Sequence, residues 1–378
     1  MRSLRAVDQI QKIVAELPDL RAVTGVWAVV EARVAQGDAA FAADLGIALA
    51  RAYGSGQMWQ YRSVFNHLLR LLATTGGREH VAQVVRLVSS AEVTSRRRDR
   101  YTASLLASGH EVQDLAVVFT GSASSELRWC LVHELVLRGV AVEETAGIAG
   151  WALSLHGCGH PLDWLPLTLS DMEEGAGLAS YSVHGSSHPV PYGPDRDREP
   201  VVAASAGVPS VAEVTAEGVA TAMAGAVANW VEESNGRVEA RVFAFAEPAD
   251  AVSVPGALSG LGLECLQGVG EESVLSAAVC SPAQVWRVLF AAASTGGAYN
   301  SGSYGAYGRL AAWRSLAALV GSPQGATVGE VEARVRDCTW YGFGADTEWF
   351  GRVAWDIGLA VLAPDRRRVA VLAATDTD

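Results

Sequence analysis

The sequence predicts an α+β fold: an N-terminal α-helical region, solenoid-like or bundled, followed by an α+β domain with a mostly antiparallel sheet. Three observations lead there. Apolar residues recur at helical spacing almost throughout residues 1–173. Residues 174–207 then include GLASYSVHGSSHPVPYGPDRDREP, whose glycines, serines and prolines exclude a helix. Beyond it, alternating segments mix with helix-spaced ones, as a sheet with helices on it requires.

In the first region Ile10, Ile13, Val14 and Leu17 mark one apolar face, and Val64, His67, Leu68, Leu71 and Leu72 another. Breaks fall at Gly54-Ser55-Gly56, Gly76-Gly77, Ser108-Gly109 and Gly121-Ser122. Such punctuation divides the region into about eight to ten helices with short loops, a stack or an irregular bundle. No repeat of fixed period is visible, so stacking rests on helix lengths alone. In the last region a helix is expected over 211–234, a strand over 237–246 (RVEARVFAF alternates), and a short strand near 273–279. Helices follow near 282–293 and 305–320, and two apolar runs flanking Pro364-Asp365 read as a hairpin. The expected organisation is a helical scaffold at 1–173, a functional loop or linker at 174–207, and an α+β domain at 208–378.

Of the 378 residues, 50% are hydrophobic and 19% charged, enough to bury a large core. The net charge of −12 disfavours nucleic acid, whose backbone is bound by basic patches; the densest here is only Arg96-Arg97-Arg98. Charge-free windows are interrupted by polar residues, so no membrane span is expected. MRSLRAVDQIQKIV reads as an amphipathic helix and not as a signal peptide. The five cysteines are scattered without a CxxC, which fits free thiols in the cytoplasm.

Two places carry candidate chemistry. GGAYNSGSYGAYGRLAAWRSLAALVG, residues 296–321, runs a Gly-rich loop into a helix. It lacks the strand, the spacing and the lysine of a phosphate loop. What remains is a helix start at Ser303 with Arg309 in the first turns, where an anion is favoured by exposed amides. Tyr299, Tyr304, Tyr307 and Arg309 are therefore candidate ligand-binding residues, joined by Trp340 from the aromatic segment CTWYGFGADTEWFGRVAWDIG. The alternative is that Ser303 caps its helix and the glycines allow close packing. The second place is a pair of HxxxH motifs, His156/His160 and His184/His188. Four imidazoles match a zinc ion's preference for nitrogen ligands, with Cys158 close by. The intervening glycines remove the helical i,i+4 geometry of an HExxH site, and turn or capping roles compete. No GxSxG nucleophile elbow is present.

The segments LPLTLSDMEEG, GGAYNSGSYGAYGRLAAWRSLAALVG and WFGRVAWDIGLAVLAPDRRRVAVLAATDTD resemble those of a family of uncharacterised actinobacterial proteins, a domain of unknown function, from about residue 100 onward. The resemblance implies a bacterial, cytoplasmic protein and brings no catalytic residues. The leading expectation is a binding protein whose partner is another protein or a small or peptide ligand. The rival is a metal-dependent enzyme using His156, His160, His184 and His188.

Overall fold

The computed structural model describes residues 2–90, 95–154, 159–189, 199–200, 210–269, 274–351 and 355–377. They group into two units, Met1–Asp163 with Ala179–His188, and Trp164–Leu178 with Pro189–Asp378.

The first unit is built from α1 (Arg2–Glu16), α2 (Thr24–Ala35), α3 (Ala39–Tyr53), α4 (Trp59–Thr74), α5 (Arg78–Val88), α6 (Arg96–Gly109), α7 (Val112–Thr120), α8 (Ser125–Leu137) and α9 (Ala149–Leu153). Their packing follows a rule: α1 lies on α3, α2 on α4, α3 on α5, α4 on α6, α5 on α7 and α6 on α8. Contact with the next helix but one is how a solenoid buries each helix from two sides. This explains why α4 conceals Val64, Phe65, His67, Leu68, Leu69, Leu71 and Leu72 rather than a narrow stripe. Each fully buried leucine contributes about 1.5–3 kcal/mol. Between α4 and α5, Gly77 takes φ +113°, a conformation that side chains rarely adopt. Ser124 starts α8 by accepting from the Leu127 amide, and its hydroxyl donates to Asp99 Oδ2 of α6 at 2.7 Å. A small hairpin completes the unit, with β1 (Ser180–Tyr181) antiparallel to β2 (Ser186–Ser187).

The second unit contains β3 (Glu199–Pro200), β4 (Val211–Glu213), α10 (Glu217–Met223), α11 (Ala228–Glu233), β5 (Arg237–Phe245), α12 (Val254–Ala257), β6 (Leu275–Cys280), α13 (Pro282–Thr295), α14 (Tyr304–Leu319), α15 (Val328–Asp337), β7 (Thr339–Ala345), β8 (Asp356–Leu362) and β9 (Arg368–Thr375). Its seven-stranded sheet has the order β3-β6-β7-β8-β9-β5-β4. Every pairing is antiparallel. One face presents Phe243, Phe245, Tyr341, Phe343, Leu362, Val369 and Val371 to a cover formed by Val254, Leu258, Leu263 and Leu266. On the other face Trp340, Leu359, Val361, Ala370 and Leu372 are also buried. There α13 packs against β7, α10 against β5, and Trp340 Nε1 donates to the Val335 carbonyl at 2.9 Å. Strands covered on both faces lose polar alternation and read as apolar runs.

The fold class is the α+β one expected. The hairpin flanking Pro364-Asp365 is present as β8 and β9, and α13, α14 and β5 lie where the periodicity puts them. Residues 211–234 differ from the single helix expected. Val211 pairs with Phe245, and Thr215 Oγ1 takes the Val242 amide, so the β-branched start completes the edge of β5. The remainder splits into α10 and α11, because the Ala226 amide donates to Ser315 Oγ between them. No helix among the described residues is long and apolar enough to cross a membrane.

Candidate metal centre

The Gly-rich corner at 296–303 does cradle an anion, and that anion is the chain's own. Asp376 is fully buried; its Oδ2 accepts from the Ala298 amide at 2.7 Å and its Oδ1 from Ser234 Oγ at 2.9 Å. Asn300 Oδ1 accepts from the amides of Gly297 and Gly302, both at 3.1 Å, while Nδ2 donates to the Asn229 carbonyl. Tyr304 enters α14 at φ +63°, and Ser303 gives no side-chain cap.

Arg309 is turned inward, away from any external anion. It is 0% exposed, and Nε and Nη2 donate to the Glu173 carboxylate at 2.6 and 2.8 Å. Nη1 and Nη2 also reach the carbonyls of Pro166 and Thr168. Trp313 Nε1 and the Ser170 amide complete the carboxylate's shell. Trp340 is likewise buried in the sheet. Of the ligand-binding candidates, Tyr299 is exposed, and Tyr304 and Tyr307 are half-buried.

The histidines are distributed differently from the two pairs read in the sequence. His156, with Cys158, lies outside the described residues. His160 packs flat on Trp129 at 4.9 Å; its Nε2 stands 3.2 Å from Glu126 Oε2 and its Nδ1 accepts from the Leu162 amide. Both ring nitrogens are thereby engaged in holding the chain after α9. His188 sets its ring edge-on to Tyr181, and burial, then the charge of Arg70, pushes its pKa down.

His184 is the histidine placed among other ligands. It occupies the β1–β2 turn, which Ser182 closes by bonding to Gly185 in both directions. There it meets Glu31 of α2 and His67 of α4, and one ligand atom from each residue lies within 4.8 Å of the others. Helix α2 buries Val26, Val30 and Val34, which turns the adjacent stripe of Trp27 and Glu31 toward α4. Trp27 stacks on His67 with centroids 4.6 Å apart and planes 8° from parallel, fixing the imidazole. The His67 side chain is 3% exposed, and its Nε2 lies 2.9 Å from Glu31 Oε1. That contact is not aligned as a hydrogen bond, so a buried ring nitrogen is left without one. Burial foremost pushes the His67 pKa down; Glu31 opposes this and His184 adds to it. The net direction favours the neutral imidazole, the form that binds a metal.

A family model matches residues 24–378 and is described as a family of unknown function, DUF6183. The chain belongs to this family. Glu31, His67 and His184 all fall within the matched residues. No curated protein and no solved structure matches the chain.

Two imidazoles and one carboxylate are a ligand set for catalytic zinc or ferrous iron, with further coordination positions left for water or substrate. Tetrahedral ligands at ~2.0–2.1 Å from zinc stand about 3.3 Å apart. Closing from the 4.8 Å limit needs movements of about an ångström at most at each side chain. Glu31, with 41% of its side chain exposed, and the exposed His184 are free enough to make them. His67 was legible only as a polar member of an apolar stripe, and Glu31 carried no sequence signal.

Proposed function

We propose that this member of the family is a metal-dependent enzyme, with a divalent transition ion of the zinc or ferrous class held by Glu31, His67 and His184. The observation that carries this is the convergence of three ligand atoms from three separate segments around a buried His67 nitrogen lacking a hydrogen bond. Three protein ligands leave the ion able to polarise a substrate oxygen or to supply a hydroxide nucleophile near neutral pH. The four described free cysteines fit a cytoplasmic setting.

The test is metal content by elemental mass spectrometry after dialysis. About one ion per chain is expected. His184→Ala, an exposed change that spares the helical core, should weaken retention by at least ~100-fold, since even outer partners of metal ligands are worth 10–100-fold. Sub-stoichiometric metal after zinc or ferrous loading, or full retention in His184→Ala, refutes the assignment.

A second reading, capture of a small apolar or peptide ligand by the second unit, is favoured by one observation. Val252 and Val279 are 86% and 73% exposed. They border a cavity of about 410 Å³ with Pro255, Ala278 and Tyr341, within the range of ligand pockets. Displacement of a nonpolar fluorophore, abolished by Ala278→Trp, is the expected signature; no fluorophore binding would dismiss it.

A further inference from the structure

We propose that the metal centre acts on an anionic substrate whose carboxylate or phosphate is received by Arg70. This rests on the metal reading above and adds the substrate class to it.

Arg70 follows His67 by three residues on α4, so the two side chains share a helix face with their Cβ atoms about 5–6 Å apart. Its guanidinium is already oriented. Nε donates to the Tyr101 hydroxyl at 2.5 Å, and the group sits 5.8 Å from the centre of that ring. No carboxylate among the described residues pairs with it. Four other arginines of this unit do have carboxylate partners: Arg33 with Asp38, Arg86 with Asp44, Arg100 with Glu126 and Arg138 with Glu134. A half-buried guanidinium with free Nη groups is a fork for a carboxylate or phosphate.

The β1–β2 hairpin ties this arginine to the ligands. Its His184 ring lies 6.2 Å from the His67 ring. Tyr181 sets its edge against Tyr101 at 5.9 Å and shares a 3.1 Å hydrogen bond with Ser104. His188 abuts Tyr181 and feels the Arg70 charge. One short hairpin therefore touches the metal ligands at its tip and the Arg70–Tyr101 pair at its base. The charge balance points the same way. A divalent ion with one carboxylate ligand retains one positive charge, and Arg70 adds a second. A phosphate dianion spanning the open metal position and the guanidinium would neutralise both, and a carboxylate bridging them would neutralise one.

The experiment uses the full chain loaded with cobalt(II), whose visible absorption reports the metal's surroundings. Inorganic phosphate and acetate are titrated separately. At least one should perturb the cobalt band saturably, and which one does assigns the substrate to phosphates or to carboxylates. Arg70→Met should weaken that anion by about 10–100-fold, the worth of a charged hydrogen bond. The anion-free cobalt spectrum should be unchanged in the variant, which also shows that it is folded. Cobalt bound with no response to either anion overturns the inference and leaves the metal reading standing. So does an Arg70→Met protein that binds the anion as the native chain does. Failure to bind cobalt at all overturns both.

Discussion

Replacing Arg309 by Met would remove the counter-charge of Glu173 while keeping most of the apolar volume. Both side chains are 0% exposed, so no water is at hand to take over from the guanidinium. The carboxylate would keep only the Trp313 indole and the Ser170 amide of its four donors, and the carbonyls of Pro166 and Thr168 would lose theirs. Breaking one side of a buried pair typically costs about 3–5 kcal/mol. Glu173→Gln should fall in the same range by stranding the guanidinium. The double change leaves no buried charge, and the one Gln oxygen can still accept from Trp313 or from Ser170, which bond different oxygens of the native carboxylate. It should therefore recover at least ~2 kcal/mol relative to the sum of the singles. Hydrogen exchange against urea, read on peptides covering 164–178 and 304–319, follows the second unit by itself. A loss under about 1 kcal/mol in Arg309→Met, or strictly additive singles, would refute the view that this pair is an internal tie.

Two further outcomes follow from packing and charge. A Cβ at Gly308 would stand 2.5 Å from Ser294 Cβ, where α14 crosses α13. Gly308→Ala should thus destabilise by about 1–3 kcal/mol, and an unchanged melting temperature would contradict that. Burial raises the Asp99 carboxyl above the ordinary aspartate range, against the pull of Ser124. A raised acid is protonated more readily folded than unfolded. Its contribution is therefore intact below the ordinary aspartate pKa and is lost as pH rises through the folded one. Asp99→Asn should match the native chain near pH ~3 and exceed it at pH ~7, each tenfold difference in proton affinity between the folded and unfolded chain being worth about 1.4 kcal/mol. Melting curves with a constant or reversed gap would rule this out.

Where local patterning and final surroundings agree, the fold was legible. The Pro-Asp turn between two apolar runs marked β8 and β9, and glycine punctuation marked the helix ends of the first unit. Strand β7 was hidden in an aromatic, glycine-rich stretch, because burial on both faces erases the alternation that identifies a strand. Arg309 looked like an anion binder at a helix start. Its partner Glu173 comes 136 residues earlier, and nothing local announces that pairing. Glu31 and His67, two of the three proposed metal ligands, fail to show for the same reason, whereas His184 was read from its HxxxH pair. Glu31, His67 and His184 come from two helices and a hairpin, and the HxxxH spacing drew attention to His160 and His188, which are employed on Trp129 and Tyr181.

The chain leaves its first unit after Asp163, returns for Ala179–His188, and departs again. On a ribosome this sets an order of events. Glu31 and His67 emerge early, but His184, the third ligand proposed, follows His67 by more than a hundred residues, on the order of ten seconds at ordinary rates of synthesis. Until then an ion would meet only two ligands. A fragment cut at Asp163 would contain α1–α9 and still lack one of the three residues of the proposed centre, whereas one extended through His188 would carry them all.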